Sequence, residues 1–469
     1  MSALMTVGEL ARVLSARGVP AELSGDGRVG FSSVSTDSRT LSAGALFVAL
    51  RGERFDGHDY VARARENGAV GALVERRVEV DVAQLIVTDS KRAFGLAAGT
   101  WRSRFSLPVI AVAGSNGKTT VTQMVAAILG AAYGEKNRLA TRGNLNNDIG
   151  VPLMLWQLSK QHRAAVFEVA MNHSGEIAYL AQLVQPTVAL VNNAQREHQE
   201  FMQSIEATAY ENGETIAALS NDGVAVFPAD DACAPIWRQL SGTRRVIDFA
   251  LDASAVVTTT FQTAQEGVVI SMATPAGVID VRLASGGLHN VRNTLAAAAC
   301  SIAAGIGAEA IAAGLNAWRP TAGRGVKLRI KDCDVIDDTY NANPDSVRAA
   351  IDVLAAAPAP RGLVLGDMGE VGVRGPEFHR EVGLYARARG IDSLFATGPL
   401  MRETAQAFGA NAAHFDDIGG LIDALRPSLR AGATVLIKGS RFMQMERVVQ
   451  ALSAQQTETV HPNLSHEPT

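Results

Sequence analysis

The run Gly114-Ser115-Asn116-Gly117-Lys118-Thr119 has the residue types that hold a nucleotide triphosphate. Glycines let the backbone turn tightly, so that successive N–H groups face phosphate oxygens, and a following helix adds the positive end of its dipole. Lys118 can neutralise the β- and γ-phosphates, and Thr119, with Thr120 beside it, can offer a hydroxyl to Mg²⁺. The full G-x-x-x-x-G-K-[ST] pattern is not met, because Val112 stands where its first glycine would be. The apolar run Val109–Ala113 before the loop, and the helical spacing of Val121, Met124, Val125, Ile128 and Leu129 after it, nevertheless predict strand, loop and helix in order. The motif alone implies a nucleotide and leaves the reaction open.

In open α/β sheets the site lies beyond the carboxyl ends of the strands. Ala164–Phe167 is followed by Glu168, and Val188–Val191 by Asn192-Asn193 with His198 a few residues on. Carboxylate and hydroxyl oxygens at such ends suit a hard cation such as Mg²⁺. His198 reads either as a ligand or as a satisfied surface histidine. Later in the chain the same logic selects Asp337-Asp338-Thr339-Tyr340-Asn341-Ala342-Asn343-Pro344, Gly366-Asp367-Met368-Gly369-Glu370 and Lys438-Gly439-Ser440-Arg441. The last places two cations at a strand-to-helix junction, where an anionic group is welcome. Each also reads as loop or cap chemistry.

The elements that must position these groups fall into three regions. At 469 residues the chain exceeds one ordinary core. The pattern divides it into 1–88, 89–318 and 319–469, with apolar runs alternating with helical stretches in each. That alternation predicts an α/β fold with a parallel sheet in each region. Residues 255–283 alternate apolar and polar and predict a few antiparallel strands. The uncharged stretch Thr294–Ala308 is too short to span a bilayer and predicts a buried helix. The polar tail from about residue 454 is expected to be disordered.

Composition narrows the partners. Hydrophobic residues make up 47% and charged residues 19%, with a net charge of −4, so no clustered basic excess points to nucleic acid. Cys233, Cys300 and Cys333 fit no metal or redox spacing and read as inert thiols. The first residues lack a basic n-region and meet Glu9 early, which predicts no signal peptide and a cytoplasmic protein.

The phosphate loop, Gly143-Asn144-Leu145-Asn146-Asn147-Asp148-Ile149-Gly150-Val151-Pro152, Phe167-Glu168-Val169-Ala170-Met171-Asn172, His289-Asn290-Val291-Arg292-Asn293 and Asp337–Pro344 together resemble the Mur ligases, in order and over nearly the whole chain. The resemblance implies a three-domain ligase: a first domain for a uridine nucleotide, a central phosphate-loop ATPase domain with a parallel sheet, and a C-terminal Rossmann-like domain closing over both. It implies an ATP-dependent amide ligase, acting through an acyl phosphate, whose partners are UDP-N-acetylmuramoyl-tripeptide and D-alanyl-D-alanine. The protein is expected to act as a monomer. By the same resemblance, Lys118, Glu168, His198 and Arg324 are catalytic, and Thr119, Glu168 and His198 bind Mg²⁺. Gly114 to Thr120, Asn293, Arg324, Asp338 and Asn341 contact ATP. Ser38 and Arg39 in Thr36-Asp37-Ser38-Arg39, and Asp56 and His58 in Arg54-Phe55-Asp56-Gly57-His58, contact the other substrate, with Asn144, Asn146, Asn147, Asn343, Lys438 and Arg441.

One departure stands out. Mur ligases usually carry a lysine, modified to a carbamate that helps bind a second Mg²⁺, ahead of a Gly-Glu pair. Here the stretch reads Tyr210-Glu211-Asn212-Gly213-Glu214, and Asn212 cannot form a carbamate. The second cation is then expected to use Glu211 or Glu214, or to bind more weakly. Three other readings compete: a folate or amino-acid-polymer ligase, a phosphate-loop ATPase or kinase, and a non-enzymatic nucleotide-binding module. The Asn-Leu-Asn-Asn block and the uridine-type first region argue against the first of these.

Overall fold

The computed structural model describes residues 3–197, 199–202, 204–264 and 267–458. The first helix, Val7–Ala16, has its start fixed by a reciprocal cap: the Glu9 N–H donates to the Thr6 hydroxyl, and the Thr6 N–H donates to the Glu9 carboxylate. A five-stranded sheet follows in the order Ala21–Ser24, Ala83–Val87, Gly71–Val74, Ala45–Val48, Ser33–Ser35. Its first strand runs antiparallel to the second, and the other pairs are parallel.

The second sheet has six strands, all parallel, in the order Arg245–Val246, Val224–Val226, Val188–Val191, Val109–Ala113, Ala164–Glu168, Arg138–Ala140. Its central strands are apolar at every position because helices cover both faces. Successive side chains of Val109–Ala113 point to opposite sides. Val109, Ala111 and Ala113 join a cluster with Phe94, Trp101 and Leu180, while Ile110 and Val112 meet Val121, Met124 and Leu295. The first cluster also takes in Leu46, Val48 and Leu85, so the first sheet and the second share one continuous core. Beside it Thr258–Thr263, Val268–Thr274 and Gly277–Leu283 form the expected antiparallel strands.

The third sheet is ordered Val326–Ile330, Cys333–Asp338, Thr434–Lys438, Arg361–Gly366, Ser393–Thr397, Ala412–Phe415, parallel except for its antiparallel first strand. Wholly parallel sheets in the first and third regions are thus corrected to mixed ones. In the third region a tight hairpin into Cys333–Asp338 adds the half-exposed edge strand Val326–Ile330, which needs no helical crossover. In the first, the half-exposed edge strand Ala21–Ser24 pairs with Ala83–Val87 from far along the chain.

Two further expectations change. The uncharged stretch from Thr294 is not one helix: Leu288–Ala303 ends where Gly305 takes a positive φ, and a second helix, Ala308–Ala317, begins after it. The polar tail is helical further than its composition suggested, because Glu446–Glu458 packs Val448, Val449 and Leu452 onto the third sheet. The rest of the tail, 459–469, lies outside the described residues. Among those residues no helix is long and apolar enough to cross a membrane, and all three cysteines are buried.

Candidate active site

The phosphate loop leaves the carboxyl end of Val109–Ala113 and is laced to its neighbour strand. The Gly114 N–H donates to Asn212 Oδ1 at 3.0 Å, the Ser115 N–H to the Asn193 carbonyl at 3.2 Å, and the Asn116 N–H to Asn193 Oδ1 at 2.9 Å. Asn192 and Asn193 both return amide N–H groups to the Asn116 carbonyl, at 2.8 and 3.0 Å. Gly117, with φ 82°, opens the helix Lys118–Tyr133, and a Cβ there would lie 2.4 Å from Asn293 Oδ1 and 2.6 Å from Asn192 Nδ2. Only glycine fits this approach. The sequence pattern aimed every loop N–H at phosphate. In the fold those of Gly114 to Asn116 hold the loop's shape, and the helix that follows presents the donors of its first turn, at Lys118, Thr119 and Thr120.

Lys118 Nζ donates to the carbonyls of Gly114 and Ser115 and pairs with Glu197 at 2.7 Å. Glu168, at the end of the adjacent parallel strand, is 3% exposed. Its backbone N–H rests on the Thr141 hydroxyl, its Oε1 accepts from Asn146 Nδ2 at 2.7 Å, and its Oε2 has no hydrogen-bond partner among the described residues. A buried, unpaired carboxylate oxygen beside a phosphate loop fits a divalent cation, as does the Thr119 side chain on the same cleft. His198 lies outside the described residues.

The opposite wall comes from the third sheet. Arg324 stacks its guanidinium 3.9 Å from the Tyr340 ring centroid. Lys438, itself buried, pairs with Asp338 at 2.6 Å and donates to the Asn341 carbonyl at 2.8 Å. Asn343 exchanges amide hydrogen bonds with Asn116 across the cleft, at 2.9 and 3.4 Å, and caps the helix Pro344–Ala355 through the Ser346 N–H. The cleft between the walls measures about 430 Å³ and collects residues 115–120, Asn146, Glu168, Asn293, Arg324, Asp338, Asn341, Asn343 and Lys438.

Other expected contacts fall elsewhere. His58 is 1% exposed; its Nδ1 faces Asp56, and its Nε2 accepts from the Glu75 N–H at 2.7 Å, so neither nitrogen is left for a ligand. Asp56 receives the His58 N–H and pairs with Arg76, and its carboxyl is held well below the usual range, first by that backbone N–H. Ser38 is buried, and Arg39 is exposed and paired with Asp37. Asn147 caps the helix Gly150–Leu155 through the Gly150 N–H, and Asn144 is exposed outside the cleft. Arg441 turns outward onto Glu446. Glu211 also corrects an expectation: both its oxygens are spent on Ser174, Gly175 and Ile177, at the start of the helix Glu176–Val184. Asn212 and Glu214 do not reach the cleft.

Cleft residues that the sequence does not mark include Gln195, Glu197, Asp231, Lys327 and Asp345. Burial raises the carboxyl pKa of Asp231 above its ordinary value. The polarity of the segment after Val188–Val191 was the only available signal for Gln195 and Glu197.

A parallel sheet with a phosphate loop at its carboxyl edge, faced by a second α/β unit carrying Arg324 and Lys438, defines a phosphate-loop nucleotide-binding enzyme with an interdomain cleft. The chain belongs to the Mur ligase family. Residues 31–98 match the model described as Mur ligase family, catalytic domain; 112–301 the Mur ligase middle domain; and 323–441 the Mur ligase, glutamate ligase domain. It is 39% identical over 453 residues to the UDP-N-acetylmuramoyl-tripeptide--D-alanyl-D-alanine ligase of Escherichia coli strain K12, covering 96% of this chain and 98% of that one. The Haemophilus influenzae protein of the same name is 36% identical, with 95% and 98% covered. A crystal structure of MurF from Acinetobacter baumannii superposes with a TM-score of 0.89 at 32% identity, covering 96% of this chain and 99% of that one. MurF ligase from Thermotoga maritima in complex with ADP gives 0.81 at 25% identity, covering 91% and 98%.

Proposed function

We propose that this protein is the ATP-dependent ligase that joins D-alanyl-D-alanine to UDP-N-acetylmuramoyl-tripeptide in peptidoglycan precursor synthesis. The observation that carries the reading is the cleft itself: the phosphate loop and Glu168 on one wall face Arg324, Asp338 and Asn343 on the other. The relatives' names supply the substrates.

In this reading Lys118 and the first-turn N–H groups hold the triphosphate. A substrate carboxylate attacks the γ-phosphorus, forming an acyl–phosphate bond and releasing ADP. The amine of D-alanyl-D-alanine then attacks the acyl carbon, loses a proton, and expels phosphate. Positioning and charge neutralisation suffice, with no enzyme nucleophile. An acyl phosphate is short-lived in water, so walls that meet across the cleft, as Asn116 and Asn343 do, serve to exclude solvent.

Glu168, Thr119 and His198 are the residues assigned to Mg²⁺, which when bound supplies charge neutralisation to the phosphates. Asn293, Arg324, Asp338 and Asn341 are assigned to ATP, with Lys438 setting the carboxylate of Asp338. Asn146 and Asn343 are assigned to the sugar-peptide substrate. The loops around Ser38–Arg39 and Asp56–His58 are assigned to shaping the uridine end, with His58 as an internal brace. Residues 1–88, 89–318 and 319–469 are taken as the uridine, ATP and closing domains of a cytoplasmic monomer.

The test is product analysis. ADP and phosphate should appear only with both carboxylate and amine substrates present, and oxygen-18 in the tripeptide carboxylate should pass into phosphate. ATP hydrolysis indifferent to the amine, or a phosphorylated product, would sink the reading.

A further inference from the structure

All three ammonium hydrogens of Lys118 are engaged within the protein: on the Gly114 carbonyl, on the Ser115 carbonyl, and on Glu197 at 2.7 Å. The Lys118 and Glu197 side chains are only 13% and 14% exposed, and both line the cleft. A triphosphate entering this loop needs the same ammonium. It reaches Lys118 by displacing one of these three acceptors, and Glu197 is the one that carries the phosphates' own sign. The displaced carboxylate then stands, largely shielded from water, beside several phosphate charges. Like charges at that range repel strongly unless a cation lies between them.

Glu168 shows where such a cation fits, because its Oε2 is buried on the same cleft with no hydrogen-bond partner among the described residues. The other carboxylate near the phosphate loop's support, Glu211, is tied to the start of the helix Glu176–Val184. Asn212 offers no charge, and its carbonyl oxygen is spent on Gly114. Of the other carboxylates among the described residues that line the cleft, Asp338 is paired with Lys438 and Asp345 with Arg196 on the opposite side, Asp231 is not paired with the loop, and Glu197 is the one held by the loop's own lysine.

We propose that Glu197 is an exchangeable ligand, holding Lys118 when no nucleotide is bound and passing to the divalent cation when the triphosphate takes Lys118 over. The proposal rests on the nucleotide site assigned above and adds to it a metal ligand. It also gives the loop a resting state in which its cation is already neutralised.

Binding measurements on the full-length protein, without peptide substrates, test it. ADP affinity in a metal chelator is read by calorimetry, and Mn²⁺ affinity of the protein–ADP complex by electron paramagnetic resonance. Glu197→Gln should bind metal-free ADP roughly tenfold more tightly, since one like charge leaves the anion site. Its ADP complex should hold Mn²⁺ several-fold more weakly. A carboxylate that merely braced the loop would not move the two affinities in opposite directions. Glu197→Asp, which keeps the charge but shortens the reach, should leave metal-free ADP affinity near wild type and weaken Mn²⁺. Unchanged Mn²⁺ affinity in either variant, or metal-free ADP binding by the Gln variant that is unchanged or weaker, overturns the exchange. If the Gln variant does not fold, the Mn²⁺ affinity of the Asp variant decides. Wild-type protein that bound no ADP would overturn the nucleotide site, and this inference with it. ADP binding with no change in the variants would overturn this inference alone.

Discussion

Arg196 grips Asp345 across the cleft: its Nη2 lies 2.6 Å from Asp345 Oδ1, and its backbone N–H donates to Oδ2 at 2.9 Å. The same guanidinium pairs with Glu381 at 2.7 Å and lies over the Phe378 ring, while Arg348 holds the other side of Glu381. This partly buried network ties the second α/β unit to the third. Arg196→Ala leaves two carboxylates without their main partner and should cost ~1–3 kcal/mol, between exposed and buried pairs. Arg196, and then Arg348, hold the Glu381 carboxyl below its ordinary pKa. A depressed folded pKa contributes stability above the unfolded value of about 4.3, lost as pH falls through the folded one. Chemical denaturation should therefore show wild type and Arg196→Ala converging below about pH 4. A stability gap constant from pH 7 to pH 3 would remove the network from this role.

Gly117→Ala should be more harmful than its size suggests. The new methyl group meets Asn293 and Asn192 side-chain atoms at 2.4 and 2.6 Å, and φ stands at 82°. Strain and lost packing together should cost about 1–3 kcal/mol. Because the displaced asparagines hold the phosphate loop, ADP affinity should fall with melting temperature. A variant with wild-type ADP binding would show that the loop tolerates the shift.

What was legible in the sequence follows from how local each signal is. The phosphate loop, its strand and its helix lie in one stretch of chain, and glycine spacing and apolar periodicity report them directly. Glu168 was found because a strand's polar end is a local mark. Glu197 was not: it meets Lys118 from 79 residues away, on a segment with no periodicity. Arg196 is 149 residues from Asp345 and equally silent. The opposite error has one cause too. Ser38, His58 and Asn147 have ligand-like chemistry, but spacing does not reveal that burial or a helix cap already occupies them. The antiparallel edge strands escaped because Ala21–Ser24 and Val326–Ile330 are half-exposed and carry no continuous apolar run.

Lys118→Ala should remove most ligase activity. The substitution strips the one cation within the loop from the transferring phosphoryl group, and a positioned electrostatic contact of this kind is worth on the order of 10²-fold or more in rate. The effect should fall on kcat rather than on the KM for D-alanyl-D-alanine. Near-normal turnover with unchanged folding would refute the loop's role.

Glu168→Gln keeps the shape of the side chain and its contact with Asn146 while removing the charge of the buried Oε2, which is unpartnered among the described residues. The Mg²⁺ concentration for half-maximal activity should rise by about tenfold or more, since a hard cation loses a charged oxygen ligand. Melting temperature without metal should hold or rise, because a buried charge is removed. An unchanged Mg²⁺ titration would strike Glu168 from the metal ligands.

Asn212 supports the phosphate loop from beneath: its Oδ1 takes the Gly114 N–H at 3.0 Å, and the residue is 2% exposed. An amide at this position has no amine to react with carbon dioxide. Activity should accordingly be the same in bicarbonate-depleted and bicarbonate-supplemented buffer, and strong dependence on added bicarbonate would contradict that reading. Removing the acceptor is a different matter. Asn212→Ala leaves the Gly114 N–H buried and unpaired, at a cost of about 1–3 kcal/mol. That cost falls on the turn that aims Lys118, so nucleotide affinity should drop along with melting temperature. Stability loss with intact ADP binding would show that the Asn193 contacts hold the loop's shape unaided.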